Sequence, residues 1–62
     1  MILEFPNATS RDYFELVIPE GLRSLFESIN HKPHLLRCTA KEFPPELKLA
    51  LGVYNGKITD TS

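Results

Sequence analysis

The small size of the chain constrains its fold more strongly than any other feature of the sequence. Its 62 residues suffice for a single globular domain, residues 1–62. A domain near this size buries only about 60% of its unfolded surface, so we expect marginal stability. A substrate pocket with its supporting shell needs residues that so small a core can hardly spare. We therefore do not expect an enzyme.

The N-terminal part of the chain predicts two strands joined as a hairpin. Ile2–Phe5 is a short apolar run, and Tyr13–Ile18 is a second run rich in β-branched and aromatic residues. In the second run, alternate residues form one apolar face, which favours a strand. Thr9 and Asp12 have the spacing of a capping box and would favour a helix instead. We take the strand as the prediction.

Residues Pro19–Asn30 predict the main helix of the domain. Pro19 and Glu20 suit a first helical turn. The backbone N–H that proline lacks would have no partner within the helix at that position, and the acid lies near the positive end of the helix dipole. Asn30 is a suitable C-terminal cap, and Pro33 opposes further extension. The helix would carry one apolar stripe at helical spacing, formed by Leu22, Leu25, Phe26 and Ile29.

The C-terminal part predicts a third strand, a second short helix and a last strand. His34–Thr39 has the composition of a strand. Pro45–Leu51 begins like a helix, although Leu47–Val53 also alternates as a strand would. Asn55-Gly56 suits a hairpin turn or a helix-to-strand exit, and Ile58 adds a short strand. The fold class is thus α+β: a small antiparallel sheet packed on the Pro19–Asn30 helix, with a second short helix.

The charge of the chain is almost balanced. The chain has seven Lys and Arg residues and eight Asp and Glu residues, which gives a net charge of −1 with neutral histidines. Nucleic-acid binders usually carry a basic excess, because phosphate neutralisation supplies most of their affinity. Nucleic acid is therefore not the expected partner.

Cysteine content and hydropathy predict a cytoplasmic protein without membrane contact. Cys38 is the only cysteine and cannot form an internal disulfide, which favours a reducing compartment. The N-terminal residues lack the basic flank and long apolar run of a signal peptide. No segment approaches the roughly 20 apolar residues that a membrane-spanning helix needs.

His31, His34 and Cys38 have a spacing that metal ligands sometimes show. A structural zinc requires four ligands in a closed tetrahedron, and only Glu42 is available as a fourth. The more ordinary interpretation is two loop histidines and a small buried thiol, so we predict no metal and no other cofactor. Nothing near Cys38 indicates an oxyanion hole or a helix N-terminus, so we assign no catalytic residue.

Residues 14–25, Phe-Glu-Leu-Val-Ile-Pro-Glu-Gly-Leu-Arg-Ser-Leu, resemble the strand-to-helix junction of ribbon-helix-helix repressors. In that family an alternating strand precedes Pro-Glu-x-Leu-x-x-Leu, and outward strand residues enter the DNA major groove of a dimeric complex. The resemblance implies that Tyr13, Glu15 and Val17 face outward, but none is a basic or amide side chain that reads bases. The family's Gly-x-Ser turn before a second helix is also missing. A dimeric DNA-binding regulator of this type is the alternative function.

The apolar residues exceed what one small core can hold. With Phe14, Leu16 and Ile18 packed on the helix, Tyr13 and Val17 face the other side of the sheet. Two interpretations are open: the second helix covers that face, or the face is exposed and forms a contact surface.

A partner-binding surface is the prediction that we carry forward. We place Arg11, Tyr13, Val17 and Tyr54 in it, since tyrosine rings bring apolar area with a wet hydroxyl and Arg11 would supply a polar rim. The partner would be another protein or a second copy of the chain. The expected function is that of a non-enzymatic protein-binding module, acting as an inhibitor, an adaptor or a small regulatory subunit.

Overall fold

The computed structural model of the protein describes residues 1–59. Within this range four short strands form one sheet, and neighbouring strands are antiparallel. With β1 at Ile2–Glu4, β2 at Phe26–Ser28, β3 at Leu35–Cys38 and β4 at Lys57–Ile58, their order in the sheet is β2-β3-β1-β4. The predicted α+β class is confirmed: one main helix and a short second helix accompany a small antiparallel sheet. In chain order the elements are β1 (Ile2–Glu4), α1 (Ala8–Val17), a 3-10 helix (Glu20–Leu25), β2 (Phe26–Ser28), β3 (Leu35–Cys38), a 3-10 helix (Pro45–Leu47), α2 (Lys48–Val53) and β4 (Lys57–Ile58).

The main helix is α1, so the predicted strand Tyr13–Ile18 is wrong. The helix begins after Asn7, whose side-chain oxygen accepts a hydrogen bond from the Ser10 backbone N–H at 2.8 Å and so caps the first turn. Phe14 and Ile18 lie four positions apart, where a helix places both side chains on its inner face. The helical alternative was therefore correct in kind, although its cap is Asn7 and not Thr9.

The predicted helix Pro19–Asn30 is also wrong beyond its first turns. The chain forms a 3-10 helix over Glu20–Leu25 and then turns into strand β2. In β2, Phe26 pairs with Cys38 of β3 in the antiparallel register. Pairing with the next strand, β3, has overridden the local helical period of the sequence. Leu22 and Leu25 keep a common side in the 3-10 helix, and Phe26 packs against the core as a strand residue.

A tight turn connects β2 to β3. The Lys32 backbone N–H donates to the Ile29 carbonyl at 3.1 Å, and His31 inside this turn has a φ of 64°. A positive φ is uncommon outside glycine, although histidine tolerates it better than most residues. The turn reverses the chain so that β3 follows, which confirms the predicted third strand within His34–Thr39.

The predicted second helix and last strand are confirmed as α2 and β4. The helix ends in a Schellman motif: the Gly56 N–H donates to the Leu51 carbonyl at 2.8 Å, the Asn55 N–H donates to the Gly52 carbonyl at 3.1 Å, and Asn55 has a φ of 59°. Asn55-Gly56 is thus a helix-to-strand exit. A Cβ on Gly56 would lie 2.6 Å from Phe5 and 2.5 Å from Leu51, so the exit passes directly against the core.

The core lies between one face of the sheet and the two helices. Leu3 of β1 and Leu36 of β3 are paired partners and fully buried, whereas Glu4 and Arg37 on the other face of the same strands meet solvent. Phe14 brings α1 onto this layer. The buried apolar residues are Leu3, Phe5, Phe14, Ile18, Leu36, Cys38, Phe43, Leu47 and Leu51.

Candidate functional site

The candidate site is an apolar surface on the outer sides of α1 and α2, which we call the outer helix surface. Its large exposed side chains show between 43% and 81% of their area to solvent. In residues 1–59, Ile58 is the sole large exposed apolar side chain that lies elsewhere, on strand β4. The outer helix surface consists of Tyr13, Leu16, Val17, Leu49, Val53 and the half-buried Tyr54.

Helix geometry explains why three of these residues share one side of α1. Tyr13, Leu16 and Val17 have the spacing i, i+3 and i+4, which brings side chains together on a helix. Phe14 and Ile18 have the same relation to each other but point into the core. The Tyr13–Ile18 segment is therefore apolar around most of the helix circumference, and a helix of that kind normally lies between two layers.

The short helix α2 repeats this arrangement. Leu47 and Leu51 are buried one turn apart, whereas Leu49 and Val53 are exposed one turn apart on the other side. At the end of α2, the Tyr54 ring stacks on the Tyr13 ring of α1, with centroids 6.1 Å apart and an interplanar angle of 20°. This stacked pair connects the exposed stripe of α1 to the end of α2, the helix that carries Leu49 and Val53 on its outer side.

The structure brings together three of the four predicted contact residues. Tyr13, Val17 and Tyr54 all belong to the outer helix surface. They lie there as helix residues, and not as residues on the far side of a sheet. One interpretation of the sequence was that the second helix covers Tyr13 and Val17. The structure shows this only in part, because α2 packs beside α1 but leaves both side chains exposed.

Arg11, the fourth predicted residue, lies on another flank of α1. An α-helix turns by about 100° per residue, so the side chains of Arg11 and Tyr13 diverge by roughly 160°. Arg11 Nη1 donates to Ser28 Oγ at 3.2 Å, Nη2 contacts Asp12 Oδ1 at 2.9 Å and Nε lies 3.4 Å from Glu15 Oε1. Its side chain is only 14% exposed. Arg11 therefore holds α1 to β2, which leaves it little freedom to form a rim for a partner.

Sequence reasoning missed three residues of the outer helix surface. Leu16 was expected in the core, because strand alternation groups it with Phe14 and Ile18, and it is instead 71% exposed. Leu49 and Val53 were noticed only as part of an alternating run. The helical period over residues 13–18 and 47–54 was the signal that would have found all three.

The histidines and the cysteine do not form a shared site. Cys38 is a free thiol buried in β3, as expected, and His31 is exposed on the turn between β2 and β3. In the part of the chain from residue 1 to residue 59, no three His, Cys, Asp or Glu side chains gather in a metal-binding arrangement.

A shallow cleft of about 430 Å³ lies at another part of the surface, between β1, β4 and the residue before β3. Its charged side chains, Glu4 and Lys57, have opposite signs and pair across the sheet register. The cleft therefore offers neither a net charge nor a buried polar group for a ligand. Its lining residues are Glu4, Phe5, Pro6, His34, Asn55 and Lys57.

The ribbon-helix-helix resemblance does not extend to the structure of residues 14–25. The strand that would enter DNA is the second half of α1, and the helix that would follow is a short 3-10 helix. Among the described residues, no helix has the length and hydropathy needed to cross a membrane. In comparisons with protein-family models, curated proteins and solved structures, nothing matches this chain.

Proposed function

We propose that this protein is a non-enzymatic binding module whose partner is another protein, held on the outer helix surface. The observation that carries the proposal is the exposure of large apolar side chains on two neighbouring helices, α1 and α2, which contact each other through the Tyr13–Tyr54 stack. Contiguous exposed apolar patches on small soluble domains commonly mark contact surfaces.

The residue types in the surface support a protein partner. Tyrosine is enriched at interface centres, since its ring excludes water while its hydroxyl accepts a polar neighbour. Leu16 and Leu49 are the most exposed large apolar side chains, at 71% and 81%, and stabilise little in the isolated chain at that exposure. A partner that covered them would remove this apolar area from water. Inhibitor, adaptor and regulatory subunit are the roles that such a module would fill.

We also propose a cytoplasmic location for the protein. Cys38, the only cysteine, is buried as a free thiol in the sheet. Small domains of oxidising compartments usually depend on disulfides, and this fold is held without one.

Site-specific photo-crosslinking tests the proposed surface. A photoreactive amino acid replaces Leu16 or Leu49 in one series, and Arg37 on the opposite face of the sheet in a matched control. We expect discrete crosslinked proteins in the native host from positions 16 and 49, and none from position 37. Products from position 37 alone would contradict the proposal, and so would the absence of products from all three positions.

A second measurement separates binding from folding. Leu16→Ser and Leu49→Ser change side chains that contribute little to the core, so each is expected to shift the free energy of unfolding by less than about 0.5 kcal/mol. Crosslinking from the other position should nevertheless fall. Ile58→Ser alters an exposed apolar residue outside the outer helix surface. It is the control, and crosslinking from positions 16 and 49 should be unchanged in it.

A further inference from the structure

The exit from α2 to β4 passes through the dipeptide Asn55-Gly56, and each of its residues meets a demand of the backbone there. Asn55 has a φ of 59°, a conformation that asparagine tolerates better than most residues other than glycine. Gly56 has no Cβ, and a Cβ at its position would lie 2.5 Å from Leu51 Cδ1 and 2.6 Å from the Phe5 ring. The fold therefore favours asparagine at position 55 and glycine at position 56.

The same dipeptide has the chemistry of a deamidation site. Asparagine loses its side-chain amide when the backbone nitrogen of the next residue attacks its Cγ carbon, and a following glycine hinders this attack least because it has no side chain. The chain contains three asparagines, and only Asn55 precedes a glycine, since Asn7 precedes Ala8 and Asn30 precedes His31. The Asn55 side chain is also exposed to water. Asn55 is therefore the asparagine that should react first.

The folded exit holds the nitrogen that would attack. The Gly56 N–H donates to the Leu51 carbonyl at 2.8 Å, and on the other side of the residue the Asn55 N–H donates to the Gly52 carbonyl at 3.1 Å. To act as a nucleophile, the Gly56 nitrogen must give up its proton and turn toward the Asn55 side chain, which breaks its hydrogen bond. The reaction therefore requires the end of α2 to open, an event that costs less free energy than global unfolding.

We propose that Asn55 is a site of spontaneous deamidation, which the fold protects and whose isoaspartyl product prevents the exit from forming again. When the exit opens, hydroxide removes the Gly56 amide proton and the nitrogen forms a bond to Asn55 Cγ. The Cγ–Nδ2 bond breaks, and the amide nitrogen takes a proton from water and leaves as ammonia. Water then adds to either carbonyl of the cyclic succinimide. The product is aspartate, or isoaspartate, whose backbone runs through the side-chain carbons.

The isoaspartyl product does not fit the exit. It lengthens the backbone by one methylene group between positions 55 and 56, so the Gly56 N–H no longer meets the Leu51 carbonyl in the Schellman motif. The contacts beside Gly56 leave no free space for the displaced chain, because Phe5 and Leu51 already occupy the place of a Cβ. The displacement continues into β4, which pairs with β1 directly after the exit. Isoaspartate at position 55 therefore separates β4 from the sheet.

Peptide mapping after incubation tests the site and its protection. The protein is kept at mildly alkaline pH, either folded in buffer or unfolded in guanidinium chloride, and is then digested with trypsin, which places the three asparagines in separate peptides. Mass spectrometry detects the exchange of NH2 for OH, and chromatography separates isoaspartyl from aspartyl peptides. In the unfolded protein, Asn55 should react faster than Asn7 and Asn30. In the folded protein, its reaction should be at least about ten-fold slower than in the unfolded protein.

Two results of this mapping would overturn the proposal. Equal rates at Asn55 in the folded and unfolded protein would show that the fold gives no protection. A rate at Asn55 no higher than that at Asn7 in the unfolded protein would show that position 55 is not a preferred site. Gly56→Ala checks the route in guanidinium chloride, where folding plays no part: the rate at Asn55 should fall to that of Asn7, which precedes alanine in the parent chain. An unchanged rate would contradict attack by the Gly56 nitrogen.

Asn55→Asp is the matched control for the product. It carries the same added charge without the extra backbone group, and aspartate tolerates the left-handed conformation as asparagine does. Protein with isoaspartate at position 55, purified from the unfolded incubation and refolded, should melt about 5 °C or more below Asn55→Asp. Amide hydrogen exchange should be faster at Lys57 and Ile58 in the isoaspartyl protein than in Asn55→Asp. Equal melting and exchange in the two proteins would overturn the claim that the product prevents the exit from forming.

Discussion

The aromatic side chains of this protein fall into two groups that behave differently. The four phenylalanines meet inside: the Phe14 ring centroid lies 5.3 Å from Phe5, 6.2 Å from Phe26 and 6.5 Å from Phe43. The two tyrosines meet outside, in the Tyr13–Tyr54 stack on the outer helix surface. Neighbouring positions of one helix, 13 and 14, therefore supply both groups. A contact between rings therefore does not by itself show that a ring stabilises the fold, because the stabilisation depends on how deeply the rings are buried.

The strongest test of this comparison is removal of the central phenylalanine. Phe14→Ala leaves a cavity among three other rings and is expected to lower the free energy of unfolding by about 3–5 kcal/mol, enough to unfold a domain of marginal stability. Thermal and urea unfolding followed by circular dichroism measures the loss. Tyr13→Ala is the matched control, and a loss as large as that of Phe14→Ala would show that the tyrosine pair belongs to the core.

Gly56 tests how tightly the inner group is enclosed. A methyl group at this position meets Leu51 Cδ1 at 2.5 Å and the Phe5 ring at 2.6 Å, so Gly56→Ala forces core side chains to move and should cost about 1–3 kcal/mol. Gly52→Ala is the control: nothing lies within 4 Å of its Cβ position, and alanine favours a helix. An unchanged melting curve for Gly56→Ala would show that the packing around Phe5 is loose.

The smallest expected effect concerns the tyrosine pair itself. A double-mutant cycle with Tyr13→Ala and Tyr54→Ala should give a coupling energy near 0.5 kcal/mol, at the low end for aromatic pairs because Tyr13 is largely exposed. Urea unfolding of the four proteins provides the values. A coupling above about 1.5 kcal/mol would assign the stack a structural role and weaken the case that it serves a partner.

Much of the fold from residue 31 onward was predictable from local sequence. The third strand, the second short helix and the last strand all lie where composition and turn residues placed them. Asn55-Gly56 ended the helix because asparagine tolerates the left-handed conformation, and Pro45 marked its start.

The region from residue 8 to residue 30 was predicted least well. The predicted strand Tyr13–Ile18 forms the end of α1, and the second half of the predicted helix Pro19–Asn30 contains strand β2. Phe14 and Ile18 are four apart, which suits the buried face of a helix and of a strand alike, so only Leu16 distinguishes the two. The strand conformation of Phe26 depends on its pairing with Cys38 of the next strand, a contact that a helical period does not contain.

The candidate site was predicted in part and for a partly wrong reason. Tyr13 and Val17 were chosen as the far face of a strand, and they are exposed because α1 presents that side to solvent. The contact between Tyr13 and Tyr54 depends on the packing of α1 against α2, which the sequence does not encode locally. Arg11 was chosen because it is close in sequence to Tyr13. Side chains two residues apart on an α-helix point to different flanks, so Arg11 and Tyr13 do not share a surface.

Because Cys38 is buried, the rate at which its thiol is labelled measures how often the fold opens. The thiol is 1% exposed, its backbone N–H donates to the Met1 carbonyl at 2.8 Å, and Phe26 pairs with it from the other side. A disulfide reagent can reach such a buried sulfur only when the fold opens around it, so the labelling rate reports how often that opening happens. A molecule that binds the closed form and not the opened form slows the labelling by mass action. Slower labelling of the Cys38 thiol would therefore detect a ligand bound on the helices, even when the ligand is unidentified.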